Sequence, residues 1–385
     1  MKAPALRSFR LKNFKAVRDS GAIRFTPLTV FIGNNGSGKS SIVEGLETFQ
    51  MIVGQGLDEA MQQRRGIEYI RHQGVSHKLQ ETNVERPHDS NPISFDLRGR
   101  TKDQLFKATT QVNRGPGGNE IFIQYERLGI KNQSEITRDA RGGVYSWQGD
   151  KSFPQASVPD GESIFEKLLD GFISDWQFVS LIAQEMGSPR PQKRTGGPIR
   201  LAKDGSNIAE YLLSIRKLDQ NAFDGIVETL QYILPYARDL QPALTSELER
   251  TVYLQMTEGN FKVPDWLLST GTLRILALLA LLRHPKPPPL VIEEIENGLD
   301  PRTIHLLVDE IRTAVESART QLILTTHSPY LLNLLDLSHI VLVDRINGEP
   351  TFSRPADQKS LQEWTENFGP GRLYTMDLLG RKTGT

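Results

Sequence analysis

The sequence predicts an α/β chain organised around a mostly parallel sheet, with an antiparallel flap of strands and a helical insertion. Three observations predict it. The apolar run Leu28-Thr29-Val30-Phe31-Ile32 opens into a glycine-rich turn and then a helical pattern. Short apolar runs at 290–292, 321–324 and 340–343 have the length and composition of buried strands. Helical patterns at 269–282, 301–317 and from Pro329 precede or separate them, and β and α elements alternating at that spacing build parallel sheets.

Along the chain, residues 7–17 and 22–25 read as strands leading into the loop strand, with Phe9, Leu11 and Phe14 pointing inward. A Gly/Gln/Arg-rich stretch at 54–74 and a polar loop at 81–91 follow the first helix. Strand patterns at 93–97, 120–128 and 143–147 are separated by glycine-rich turns, which makes the antiparallel flap. From Ser163 to Ala243 the pattern turns helical, with one basic loop between Pro189 and Lys203. It holds no sustained heptads, so it is an insertion and not a long coiled-coil arm. Alternation returns at 247–256. Ser269 then opens an apolar helix that Pro285 and Pro287 to Pro289 stop. Three segments result: a core part with the flap at 1–160, a helical lobe at 161–243 and a second core part at 244–385.

Lysine plus arginine number 46 and aspartate plus glutamate 46, so any nucleic-acid contact must be a local patch. The absence of cysteine removes disulfides, thiolate zinc sites and cysteine nucleophiles, and agrees with a reducing compartment. No apolar stretch reaches the length of a membrane span, and Met1-Lys2-Ala3-Pro4 does not begin a signal peptide. The expectation is a soluble, cytoplasmic chain with no membrane partner.

The string Gly33-Asn34-Asn35-Gly36-Ser37-Gly38-Lys39-Ser40 fits G-x-x-x-x-G-K-[ST]. Small residues let backbone N–H groups curl around a phosphate, Lys39 reaches its outer oxygens and the Ser40 hydroxyl can ligate Mg²⁺. Asn34 to Ser41 are the candidate nucleotide-binding residues. The bland alternative is a glycine-rich turn, which the preceding strand and following helix disfavour.

The strand 290–292 ends in Glu293-Glu294, and adjacent residues at a strand end point to opposite faces. One acid can hold Mg²⁺ while its neighbour sits by an attacking water; a solvated acidic turn is the alternative. Asn297 and Asp300 follow in a tight loop, where Asp300 before Pro301 is also a helix N-cap. His327 stands just past the next strand, at the carboxyl end where ligands gather in such sheets. The other six histidines show no ligand spacing, so no zinc site is expected. Leu268-Ser269-Thr270-Gly271-Thr272-Leu273-Arg274 reads as an N-cap, and a helix start can also bind an anion.

In this order the motifs resemble the ABC-type ATPase heads of the SMC, RecF and OLD families, and most of all the compact OLD-like and RecF-like AAA ATPases of prokaryotes. The resemblance covers the motifs, the strand from Leu6 to Phe14 and, more loosely, Leu201 to Asn207. It implies a P-loop NTPase fold of ABC-head type and a homodimer or higher oligomer, with two heads joined head to tail around ATP. Lys39 and Ser40 then hold phosphate and Mg²⁺, Glu293 takes the metal-side acid position, Glu294 polarises water and His327 contacts the γ-phosphate. Ser269, Gly271 and Thr272 act in trans, and Asn297 and Asp300 form the D-loop. A metal-contacting glutamine is expected between loop and signature; Gln73 is the candidate, its alternative an exposed turn. Three residues depart from the family pattern: Glu293 for the commoner Asp, Thr270 for Gly or Asp, and Ile295 for Pro. The longer acid still reaches Mg²⁺ with a small backbone shift, so slow hydrolysis is expected.

OLD-like proteins often carry a TOPRIM nuclease after the histidine motif, and only about sixty residues follow His327 here. Any nuclease is therefore expected as a separate chain, with this one an ATP-driven sensor or scaffold in anti-phage defence. The alternatives are a RecF-like ATP-gated clamp in DNA repair and a transporter subunit, the last disfavoured by the Glu-Glu pair. Arg190, Lys193, Arg194, Arg200 and Lys203 fall in one stretch without an acid, either a solvated loop or a DNA contact. Five phosphate contacts give a salt slope of about −4.5 on log–log axes.

Overall fold

The computed structural model describes residues 5–74, 79–80, 88–89, 91–101, 104–115, 120–131, 133, 135–159, 161–166, 169, 172–192, 197–245, 250–365 and 367–380. The chain divides into two compact units. The first comprises Met1–Trp176, Ser338–Glu363 and Asp377–Thr385; the second comprises Gln177–Leu337 and Trp364–Met376.

The first unit holds the flap, a sheet in which Ala5–Phe14 is flanked by Val17–Asp19 and Ile93–Arg100 and every pairing is antiparallel. Phe9, Leu11 and Phe14 are fully buried; Phe9 and Leu11 share the inner face by alternation, and Phe14 follows Asn13, whose φ of +55° interrupts the extended run. Onto this inner face packs the helix Lys39–Gln55, whose Phe49 ring lies 5.9 Å from Phe95 and 6.1 Å from Phe165. Each such ring contributes about 1.5–3 kcal/mol on leaving water, so the helix is held by its apolar side and not by a capping side chain. Sequence reading missed the strand Leu105–Arg114, which pairs with Ile93–Arg100 along its length. Its inward face includes the polar Thr110 among Phe106, Ala108 and Val112, and that breaks the apolar alternation. In the same unit Leu28–Ile32 runs parallel to Ile340–Ile346, which turns back antiparallel into Glu349–Ser353.

The second unit holds three parallel strands in the order Gln177–Val179, Leu290–Ile292, Leu322–Thr326. The last two are connected through the helix Pro301–Glu316, the right length for a crossover. The segment read as helical with one basic loop is helical at Ala183–Met186, Ile208–Leu218 and Gln220–Ile233. It also contains the core strand Gln177–Val179 and the strand Ala237–Leu244. Three residues are too few for a period to register, and Pro242 masked the second strand, which pairs with Thr251–Glu258. The fold class is the expected one: α/β, mostly parallel core strands, an antiparallel flap and a helical insertion. Among the described residues no helix is long and apolar enough to cross a membrane.

Candidate functional site

The phosphate loop follows a parallel strand in the first unit, and the acid pair and His327 follow parallel strands in the second; each unit presents its own geometry.

In the first unit, Leu28–Ile32 is buried along its whole length and delivers the chain to Gly33. A Cβ at Gly33 would stand 2.1 Å from the Val343 carbonyl oxygen, so only glycine fits. Gly38 caps the helix Lys39–Gln55 at φ +115°, a conformation that side chains rarely adopt. Lys39 is only 6% exposed, and its Nζ donates to the carbonyl oxygens of Gly33 (2.7 Å) and Asn34 (3.1 Å). The ammonium is thus poised inside the turn. Asn34, Asn35, Gly36 and Ser40 are exposed, while Ser41 is buried and Ser37 Oγ is buried without a hydrogen-bond partner among the described residues. Arg345 Nε donates to the Gly36 carbonyl at 2.9 Å, a support that no local pattern announced because 309 residues separate the two. Gln73 lies on an exposed turn, its amide donating to the Glu68 carbonyl at 3.3 Å.

In the second unit, the half-buried Glu293 donates its backbone N–H to the Val179 carbonyl at 2.9 Å. Glu294 adopts φ +47°, a left-handed conformation that is uncommon for a non-glycine residue and gathers at functional sites. The strain is held in place from the neighbouring strand. Glu294 N donates to Thr325 Oγ1 (2.9 Å) and Ile295 N to the Thr325 carbonyl (3.3 Å). The exposed Glu294 carboxylate stands 3.9 Å from His327 Nε2 and accepts from Asn297 Nδ2 at 3.3 Å. Glu294 and His327 are therefore brought together, and Asn297 joins them.

Ser269 caps the helix Thr270–Leu282, accepting from Thr272 N at 3.1 Å, and Asp300 caps the helix Pro301–Glu316, accepting from the backbone of Arg302 and Thr303. Hydrogen bonding from Thr303 is the chief reason that the Asp300 carboxyl titrates below its ordinary range. Gly271 is where the signature meets the loop of Asn297 and Asp300, since a Cβ there would stand 3.0 Å from the Gly298 carbonyl. Arg274, not singled out from sequence, donates to the Leu181 carbonyl at 2.7 Å. Burial lowers its affinity for a proton, partly offset by the Glu294 carboxylate. Arg190 lies on a short strand, 3.8 Å from Glu185, and Arg200 and Lys203 are exposed; Lys193 and Arg194 lie outside the described residues.

The phosphate-type loop after a buried strand in the first unit, and the acid and histidine at the ends of neighbouring parallel strands in the second, are features of a P-loop fold of ABC-head type. Residues 28–333 match the family model described as "AAA domain, putative AbiEii toxin, Type IV TA system", and the chain belongs to that family. No curated protein matches the chain in sequence. Among solved structures, the chain is similar to an SMC head from Pyrococcus furiosus bound to the C-terminal domain of ScpA. That match has 14% identity and a TM-score of 0.52, over 94% of this chain and 99% of that one. An SMC head bound to the C-winged-helix domain of ScpA matches at 15% identity and a TM-score of 0.49, over 90% and 96% of the two chains. The SMC head domain from Thermotoga maritima matches at 16% identity and a TM-score of 0.42, over 91% and 98%. At such identities the likeness is one of fold.

Proposed function

We propose that this chain binds ATP with Mg²⁺ on the Gly33–Ser40 loop and hydrolyses it slowly. Two copies join head to tail, so that Ser269, Gly271 and Thr272 of one meet the nucleotide held by the other. The observation that carries the reading is the Glu294–His327 pair, held on a strained turn at the ends of neighbouring parallel strands. Strain of that kind costs about 1–3 kcal/mol and persists where surrounding bonds over-determine it.

Asn34 to Ser41 wrap and orient the phosphates, and Lys39 supplies the buried positive charge. The residues fit a magnesium ion. Ser37 Oγ is an orphaned hydroxyl within the loop, Ser40 is exposed beside it, and Mg²⁺ is commonly held by one or two protein oxygens plus phosphate and water. On the family resemblance, Ser40, Glu293 and Gln73 would supply the protein oxygens that hold it. When bound, the ion neutralises charge on the phosphates. Glu294 accepts a proton from water as it is drawn toward the γ-phosphate, and His327 steadies the oxygens of that group. Hydrolysis then rests on positioning and charge.

In the cell, this reading makes the chain an OLD-like sensor or scaffold for a separate effector, a nuclease, in anti-phage defence. The toxin–antitoxin description of its family supports a conditional device over a housekeeping repair clamp.

The test is the mass in solution, with and without ATP·Mg²⁺, of the wild type and Glu294→Gln, together with the chains that co-purify with the native protein. An ATP-stabilised dimer in the Gln variant and a bound nuclease are expected. A monomer with unimpaired turnover in both proteins would show that Ser269 only caps its helix. ATP-gated DNA binding with no protein partner would move the role to repair.

A further inference from the structure

Glu296 lies between the acid pair and Asn297. In the structure its Oε1 accepts the backbone N–H of His327 at 2.6 Å, a short, charge-assisted bond across 31 residues. Three hydrogen bonds tie the acidic turn to the histidine strand. Two of them end on Thr325. Only the third, from Glu296, reaches His327 itself among the described residues. His327 stands beyond the strand Leu322–Thr326 and before the short helix Pro329–Asn333, where no sheet pairing fixes it. Glu296 also carries an unusual cost: its Oε2 is buried and, among the described residues, has no hydrogen-bond partner. A glutamine would leave its NH2 group equally unpaired there, so what the position needs is the acceptor that Oε1 offers to the His327 amide.

We infer that Glu296 is a positioning residue for hydrolysis: its carboxylate locks the backbone of His327 so that the imidazole stays beside Glu294, within the 3.9 Å separation observed. This rests on the proposed ATPase reading and adds to it a residue outside the phosphate loop and the acid pair. Its physical content is that turnover depends on a single carboxylate-to-amide bond. Without it, His327 can drift by the ångström or so that is enough to lower a rate about a hundredfold. Binding of ATP, which rests on the Lys39 loop, does not use the bond.

The experiment compares Glu296→Ala, Glu296→Gln, His327→Ala and the double variant Glu296→Ala/His327→Ala in the full chain. It reads kcat and KM for ATP·Mg²⁺, the thermal midpoint, and hydrogen exchange at the His327 amide. Glu296→Ala is expected to lower kcat at least tenfold with KM changed less than twofold, and to speed exchange at the His327 amide. The double variant should turn over no more slowly than His327→Ala alone, and Glu296→Gln, which keeps the acceptor, should rescue most of the loss. Losses that multiply in the double variant, or an unchanged amide exchange in Glu296→Ala, would overturn the inference. So would a glutamine variant as impaired as the alanine one. A wild type that neither binds nor hydrolyses ATP overturns the ATPase reading as well, whereas a competent wild type with an unaffected Glu296→Ala overturns this inference alone.

Discussion

The phosphate loop and the acidic turn are built on different principles. The loop is made mostly of backbone. Gly33 fits under the Val343 carbonyl, Gly38 takes a glycine conformation, and Lys39 bonds carbonyls five and six residues before it. The turn at Glu294 is made of side chains that reach across 31 residues, from Thr325 to Glu294 and from Glu296 to His327. Mostly local construction gives a loop with few distant supports, chiefly the Val343 carbonyl over Gly33 and the Arg345 bond to Gly36. Distant construction ties the turn to correct pairing of Leu290–Ile292 with Leu322–Thr326. Changes in the loop should therefore damage nucleotide binding, and changes in the turn should damage turnover while binding survives.

The largest effect breaks the comparison at its loop end. Lys39→Ala removes the poised ammonium and is expected to lower kcat/KM for ATP at least a thousandfold, about 4 kcal/mol, with binding itself lost in a direct titration. Retained micromolar binding would mean that backbone alone holds the phosphates. Next in size is Glu294→Gln, expected to lower kcat at least a hundredfold, about 2.7 kcal/mol, while ATP affinity holds within a few-fold. If the two variants lose binding to the same degree, the division of labour between loop and turn is wrong.

The same division explains what could be read from sequence. Gly33 to Ser40 was legible because a run of eight neighbours contains nearly all of its own geometry. Asp300 and Ser269 were legible as caps for the same reason, since each bonds amides within three residues. The core strand Gln177–Val179 was invisible because three residues set no period, and Leu105–Arg114 because Thr110 sits in its apolar face. Glu296 and Arg345 were invisible as supports because their partners, His327 and Gly36, lie 31 and 309 residues away. Such partners are set by strand pairing, which the sequence specifies only collectively.

A third prediction concerns the approach to the signature helix. Asp265 is fully buried; its Oδ2 accepts from Leu254 N at 2.9 Å and its Oδ1 has no hydrogen-bond partner. Burial pushes its carboxyl up to about 6. The folded state thus holds the proton more tightly than the unfolded one, so the stabilisation is full below the unfolded pKa near 4 and is lost as pH rises through about 6. Asp265→Asn should remove that decline and be more stable than the wild type at pH 8 by roughly 2 kcal/mol, read from denaturant midpoints at pH 4, 6 and 8. A wild type and variant with parallel pH profiles would show that Asp265 stays ionised in its pocket. The contrast with Lys39 is informative: the loop's buried charge donates to two carbonyls, while the acid beside the signature is met by backbone amides and, among the described residues, leaves Oδ1 without a hydrogen bond.

The smallest effect separates two uses of one residue. Asp300 bonds the amides of Arg302 and Thr303 and, through Oδ2, the Thr303 hydroxyl at 2.5 Å, so as a cap it stabilises the helix Pro301–Glu316 by about 1 kcal/mol. Asp300→Ala should lose that amount in thermal or denaturant unfolding. Asp300→Asn should lose little, because asparagine caps as well as aspartate. If capping is all that Asp300 does, the asparagine variant hydrolyses ATP at the wild-type rate. If the D-loop role implied by the family resemblance is also real, it folds normally yet turns over more slowly, and the loss vanishes when ATP is too dilute to bring two copies together. The carboxylate's lowered titration range makes the cap's contribution full above the unfolded pKa and weaker as pH falls below it. A turnover deficit in Asp300→Asn that persists at neutral pH, where the cap is intact in both proteins, is therefore a deficit of charge at the site and not of helix stability.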